Sequence, residues 1–228
     1  EAAERLILGS FSLAHGILAV VDRDHSSTTD RTPIACARSR QDCLLHRHAV
    51  DLAEAKLPLI HAGGGVLRFG ASEELIELAE YLQAPVTTSM TGRGSIPEDD
   101  PLCLIPASSG TEALVAQTEA DVVLLVGGRL GDLDMWGRPP LARGDLARQR
   151  FIQIDISADM IGLNRSVDIG IVGDARSTLR VLLEEIRKHT AKRESQEILT
   201  STSRSRKVGW NSSRKCRSLT ACRYILCV

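Results

Sequence analysis

The sequence predicts an α/β protein built on an open, doubly wound, mostly parallel sheet, and three observations carry that prediction. Between residues 57 and 189, short apolar runs rich in β-formers recur, each ended by glycine or a polar turn and followed by a helical stretch, the signature of βαβ units. One run, Val122-Val123-Leu124-Leu125-Val126, is apolar at every position, as befits a central parallel strand covered on both faces. Glycines follow the runs directly, at Gly63-Gly64-Gly65 and Gly127-Gly128. In Rossmann-like nucleotide-binding sheets these carboxyl ends of strands form the ligand crevice.

The elements follow in order. Leu59-Ile60-His61-Ala62 reads as the first strand of this region. Ser72 is placed to cap the next helix, with Glu73 and Glu74 in its first turn where acidic groups suit the helix dipole. Leu75, Ile76, Leu78, Ala79 and Leu82 continue at helical spacing, and Pro85 ends the element before a second strand, Val86-Thr87-Thr88-Ser89. A loop of glycine, proline and acid from Gly92 to Pro101 passes through an ambiguous stretch to a helix around Thr111 to Thr118. After the run at 122–126, strands are expected at Phe151 to Asp155 and Val167 to Val172, and a last helix carries Leu179, Leu182, Leu183 and Ile186. Residues 49–189 are thus expected to form the domain.

The ends read differently. Within residues 1–48, Leu6 to Ala14 is helical in pattern and Ile17 to Val21 strand-like, whereas Arg23 to Arg47 has no period and reads as linker. Residues 190–228 are rich in Ser, Arg and Lys without an apolar repeat, and a disordered basic tail is expected there.

Composition narrows the function classes. Apolar residues at 43% and charged residues at 25% are ordinary for a soluble globular protein. The longest clean apolar run, Val122 to Val126, is far short of the roughly 20 residues that cross a bilayer. The first residues lack the pattern of a secretory signal, so a cytoplasmic protein with reduced thiols is expected, and the six cysteines show no C-x-x-C pair. Net charge is -1, but the basic residues concentrate after Thr190, which leaves an acidic main body and no reason to expect nucleic-acid binding.

Four strand ends are candidate ligand contacts. Gly63-Gly64-Gly65 suits close backbone approach to a ligand, or equally a tight turn packed on a helix, and it is not the spaced G-x-G-x-x-G fingerprint. Met90-Thr91-Gly92-Arg93-Gly94 offers main-chain N–H groups and Arg93 to a pyrophosphate, the alternative being an exposed loop arginine. Gly128-Arg129 places a guanidinium just outside a buried strand, where it can grip an anion through two hydrogen bonds. Asp155 can accept from ribose hydroxyls with Ile156 flanking an adenine, and Asp174 can do likewise or simply cap the helix that begins at Ala175. No catalytic constellation or metal-ligand cluster can be assembled from the sequence.

Five ordered segments, from Leu57 to Val66, Gly92 to Leu102, Ala120 to Leu130, Ile152 to Ile156 and Ile171 to Ala175, resemble the central domain of thiamine-diphosphate (thiamine pyrophosphate) enzymes. The acetolactate synthase branch is most similar, and the likeness runs from about Val50 to His189. Phe11 to Gly16 with Leu18 to Val21 faintly resembles the end of a preceding pyrimidine-binding domain. The resemblance implies an enzyme of three α/β domains acting on 2-oxo acids, a homo-oligomer, in which the pyrimidine- and diphosphate-binding domains hold thiamine diphosphate and magnesium. The middle domain scaffolds them and carries FAD in a non-redox role, ADP, or nothing. By position, FAD would meet Gly63, Gly64, Gly65, Met90, Gly92, Gly128, Arg129, Asp155, Ile156 and Asp174. This chain lacks the G-D-G magnesium motif, departs from the synthase loop at Leu130-Gly131-Asp132, and carries His61 where the family is usually apolar. On this reading the chain alone is inactive.

Three other functions compete. A free-standing NAD-binding oxidoreductase would use the same fold but wants the spaced glycine fingerprint and a catalytic His or Tyr. A sirtuin-like deacylase would want paired zinc cysteines. A non-catalytic interaction module differs from the leading reading in whether any nucleotide binds.

Overall fold

The computed structural model of the chain describes residues 17–22, 47, 49–104, 111–134, 136 and 149–194. The expected helical segment at Leu6 to Ala14, the linker at residues 23–46 and the tail beyond residue 194 lie outside these residues. After a helical stretch over residues 49–54, the strands are β1 (Ile17–Asp22), β2 (Pro58–Ala62), β3 (Val86–Thr88), β4 (Cys103–Leu104), β5 (Val122–Val126), β6 (Arg150–Asp155) and β7 (Ile169–Gly173). The helices are α1 (Gly64–Arg68), α2 (Ser72–Leu82), α3 (Thr111–Glu119) and α4 (Ala175–Arg187).

All seven strands join one sheet in the order β1-β7-β6-β5-β2-β3-β4. β2 to β7 are mutually parallel, and β1 adds an antiparallel edge beside β7. The fold is therefore the mostly parallel, Rossmann-like α/β sheet expected. The chain winds outward from β2 to β3 and β4, then crosses back to β5 on the other side of β2. This reversal between β2 and β5 is a topological switch point, where open sheets of this kind leave a crevice. Register makes the crevice sharp. Pro58 pairs with Val122 and Ala62 with Val126, so both strands end level and Gly63 comes beside Gly127.

The strands form where the side chains demand cover on both faces. β2, β5 and β7 are buried along their whole length. α2 turns Leu75, Leu78, Ala79 and Leu82 inward, all with no exposed surface, and each buried leucine contributes about 1.5–3 kcal/mol of transfer free energy. α4 buries Leu179, Leu182, Leu183 and Ile186 and packs beside α2.

An ion cluster ties these two helices. Glu74 Oε1 accepts from Arg176 Nε at 2.8 Å and from Arg180 Nη2 at 2.7 Å. Burial pushes the Glu74 carboxyl pKa up, but the hydrogen bonds from Arg176 and Arg180 and the Arg176 charge bring it below the usual glutamate value. Residues 190–193 run back over the domain: Tyr81 Oη donates to the Thr190 carbonyl at 2.7 Å, and Arg193 Nη2 to the Ala53 carbonyl at 2.6 Å.

Four details differ from the sequence expectation. Ala71, not Ser72, caps α2, because the tight turn at Gly70 (φ 60°) brings the Ala71 N–H onto the Val66 carbonyl and starts the helix at Ser72. The ambiguous stretch before α3 contains β4, a two-residue strand beside β3 too short to show any alternation. The last strand begins at Ile169 rather than Val167, since the Asp168 carboxylate turns back to accept the Phe151 N–H at 2.7 Å. β3 stops at Thr88, leaving Ser89 to accept from the Gly92 N–H in the following 3₁₀ turn.

Candidate functional site

The loops after β2, β3, β5 and β6 surround a crevice of ≈ 680 Å³ at the switch point, a size suited to a small-molecule ligand. Gly64 and Gly65 come from the first loop, Met90 and Thr91 from the second, Gly128 and Arg129 from the third, Asp155 and Ile156 from the fourth.

The glycines divide into two groups by what surrounds them. A Cβ at Gly63 would sit 2.2 Å from the Gly127 carbonyl oxygen and 2.4 Å from Gly128 Cα, and one at Gly65 would sit 2.6 Å from Gly127 Cα. The turns after β2 and β5 are thus packed backbone on backbone, held by hydrogen bonds from Gly63 N to the Val126 carbonyl at 2.8 Å and from Gly65 N to the Gly127 carbonyl at 2.9 Å. A Cβ at Gly92 would meet the Ala62 carbonyl oxygen at 2.2 Å. Gly63 and Gly92 stand behind the crevice wall and their glycines are explained by packing alone. Gly64 differs: the atoms nearest to a Cβ there all belong to Thr91, with Oγ1 at 3.1 Å and Cβ at 3.2 Å, and its surface faces the crevice.

Arg129 leaves the sheet exposed, with its backbone pinned. Its carbonyl accepts from Asn164 Nδ2 at 2.7 Å, and the preceding Gly128 carbonyl accepts from Gln153 Nε2 at 3.0 Å. Leu130 follows at φ 50°, a left-handed conformation that costs a leucine strain, held by burial of its side chain against Leu59, Val123, Leu125 and Phe151. Asp155 closes a turn through Oδ1 onto the Ser157 N–H at 3.0 Å, and Ile156 beside it is 46% exposed at the mouth, as Met90 is at 48%.

The remaining expected contacts lie elsewhere. Asp174 caps α4, accepting from the Arg176 and Ser177 N–H groups at 3.0 Å each, while its neighbours Gly173 and Ala175 line the crevice. Arg93 pairs with Glu98, its Nη2 2.6 Å from Oε1. Sequence reasoning did not single out Arg68 and Phe69, one turn after the glycines, nor Asp132, Leu133 and Asp134, all of which line the crevice. Arg68 stands at the spacing that brings the end of a short helix back to its own N-terminal loop. The acidic residues follow Arg129 in a segment without period. Among the described residues no three His, Cys, Asp or Glu side chains are grouped so as to share a metal ion.

A mostly parallel, Rossmann-like α/β sheet with a ligand-sized crevice at its switch point, glycine-walled and flanked by Arg129, defines the class of protein: a doubly wound α/β domain. The chain belongs to the family described as thiamine pyrophosphate enzyme, central domain, whose model matches residues 45–182. It is 44% identical over 138 residues to a probable acetolactate synthase large subunit of Methanocaldococcus jannaschii, covering 58% of this chain and 22% of the relative. It is 37% identical over 137 residues to a sulfoacetaldehyde acetyltransferase of Castellaniella defragrans, covering 56% and 21%. An acetolactate synthase large subunit of Cyanidium caldarium is 32% identical over 170 residues, covering 74% and 28%. The match thus spans between about a fifth and under a third of these relatives' length.

Proposed function

We propose that this chain supplies the central, cofactor-scaffolding domain of a thiamine diphosphate-dependent, acetolactate synthase-like enzyme acting on 2-oxo acids, and that its crevice binds FAD or ADP in a non-redox role. One observation supports this most. Of the ten residues expected at the nucleotide, seven (Gly64, Gly65, Met90, Gly128, Arg129, Asp155 and Ile156) line one cavity, although they come from four separate strand ends.

The residues suit a dinucleotide or nucleoside diphosphate. Gly64 leaves room for close approach to a phosphate, and Arg129 and Arg68 supply positive charge. Asp155 offers a carboxylate to ribose hydroxyls, and the exposed faces of Met90 and Ile156 offer apolar cover to a flat ring. Thiamine diphosphate and magnesium belong, on this reading, to pyrimidine- and diphosphate-binding domains outside the described residues, in a homo-oligomer. Bound there, thiamine diphosphate would supply the nucleophilic carbon for 2-oxo acid chemistry. The domain at residues 49–189 holds those partners in place and performs no chemistry itself.

The test is a thermal-shift panel of ADP, FAD, NAD and thiamine diphosphate on the full chain. A ligand that binds the folded state alone raises its melting temperature. A shift with ADP or FAD is expected; a shift with NAD and turnover of a hydroxy acid would replace this reading with an oxidoreductase.

A further inference from the structure

Two guanidinium groups at the crevice are unpaired. Arg68, at the end of α1, and Arg129, after β5, both line the crevice and stand exposed, and neither side chain has a hydrogen bond, ion pair or ring contact among the described residues. Elsewhere in the domain arginines are engaged: Arg93, Arg150, Arg176 and Arg187 each meet a carboxylate, and Arg165 lies 4.0 Å over the Phe151 ring. The crevice itself contains Asp132, Asp134 and Asp155, yet neither arginine pairs with any of them. Asp155 Oδ1 accepts the Ser157 N–H and Asp134 Oδ2 the Gly131 N–H instead. A single exposed arginine needs no partner, but two that line one concavity from different strand ends form a site for an anion.

The fold directs Arg68 at that site. Gly64 and Arg68 stand one helical turn apart on α1 and share a face, and helical side chains lean toward the start of their helix. Arg68 therefore leans back toward Gly64, which has no side chain to fill the wall between them. The end of α1 is fixed beneath it: the Phe69 N–H donates to the Gly65 carbonyl at 3.0 Å and the Ala71 N–H to the Val66 carbonyl at 2.9 Å. The sheet then sets the order of contacts. Across β6, β5 and β2, strands about 4.8 Å apart carry Asp155 and Ile156, then Arg129, then Gly64 and Arg68. A nucleoside seated on Asp155 and Ile156 thus has its first phosphate beside Arg129 and its second beside Gly64 and Arg68.

We propose that Arg68 grips the second phosphate of the nucleotide, so that the crevice selects a nucleoside diphosphate, free or within a dinucleotide, over a nucleoside monophosphate. Arg129 holds the phosphate next to the sugar, and the planar fork of Arg68 takes the outer one through two parallel hydrogen bonds. Arg68 acts on affinity and not on stability, since its exposed side chain forms no hydrogen bond or ion pair among the described residues. The proposal rests on the crevice as the nucleotide site, and its test separates the two.

Calorimetric titration compares ADP with AMP on the full chain, on Arg68→Gln and on Arg68→Lys. The unaltered chain is expected to bind ADP on the order of tenfold tighter than AMP, the size of one charge-assisted contact. In Arg68→Gln the two affinities converge, because ADP weakens while AMP does not, and the melting temperature without ligand stays where it was. Arg68→Lys keeps the charge but loses the fork, so its preference for ADP falls between the other two. A preference for ADP that survives Arg68→Gln, an equal weakening of both nucleotides, or a lowered melting temperature in the unliganded variant would overturn the role of Arg68 and leave the nucleotide reading standing. Equal affinity of the unaltered chain for ADP and AMP would do the same. Failure of both nucleotides to bind the unaltered chain would overturn the nucleotide reading and, with it, this proposal.

Discussion

Gln153 Nε2 donates to the Gly128 carbonyl oxygen at 3.0 Å, and through it β6 holds the turn that presents Arg129. The same buried carboxamide donates to the Met160 carbonyl at 2.8 Å and accepts the Gly162 N–H at 2.8 Å, so one side chain satisfies three backbone groups from two loops. Gln153→Leu keeps the bulk and strands those partners. Unsatisfied buried groups cost about 1–3 kcal/mol each, less where water reaches them, so a loss of about 2–4 kcal/mol in urea unfolding is expected. ADP affinity should fall as well, because Gly128 and Arg129 lose their anchor.

Gly63 and Gly64 are adjacent and should respond in opposite ways. Gly63→Ala drives a Cβ into the Gly127 carbonyl and backbone, and should destabilise the fold by about 3 kcal/mol, the upper end for overpacking. Gly64→Ala puts a Cβ 3.1 Å from Thr91 Oγ1 and 3.2 Å from Thr91 Cβ, which a shift of a few tenths of an ångström in the Thr91 turn relieves, so stability should fall far less than in Gly63→Ala while nucleotide affinity falls. Melting temperature and calorimetric titration on the two variants check this; equal loss of stability in both would contradict it.

Acid sensitivity should trace to Glu74. Its folded-state pKa lies below the unfolded value, so it contributes stability above the usual glutamate range, and that contribution is lost as pH falls through the folded value. Glu74→Gln should therefore lower stability at pH 7, by about 1–2 kcal/mol for charge-assisted bonds to half-exposed arginines. The gap to the unaltered chain should narrow toward pH 3. Urea midpoints across that range are the measurement, and a constant gap would contradict the assignment.

The C-cap of α2 offers a gain. Gln83 sits at φ 51°, a left-handed conformation that glycine adopts without strain. Gln83→Gly also loses the bond from Gln83 Nε2 to the Glu80 carbonyl and adds unfolded-chain freedom. The expected net is a stabilisation of about 0.5 kcal/mol, read as a small rise in melting temperature.

The architecture was legible where burial dictates pattern. Val122 to Val126 must be covered on both faces, and a run apolar at every position says so. Asp174 before Ala175 was legible as a helix cap, and the structure places it as one. β4 was not, because Cys103 and Leu104 are held by the register of Val86 and Thr87 rather than by any local pattern. The crevice was legible as a set of strand ends, but not which glycine faces into it. That depends on how the turn at Gly127 packs against Gly63, a contact between residues far apart in sequence. His61 and Asp134 meet for the same kind of reason, and nothing near either residue announces the other.

The central claim, that the switch-point crevice is a nucleotide site, is tested most directly by calorimetric titration of ADP into the full chain and into Arg129→Ala. The account predicts saturable binding to the unaltered chain and at least a tenfold weakening in the variant, about 1.4 kcal/mol, with unchanged melting temperature in the absence of ligand. Equal ADP affinity in the two chains would place the nucleotide elsewhere and contradict the account.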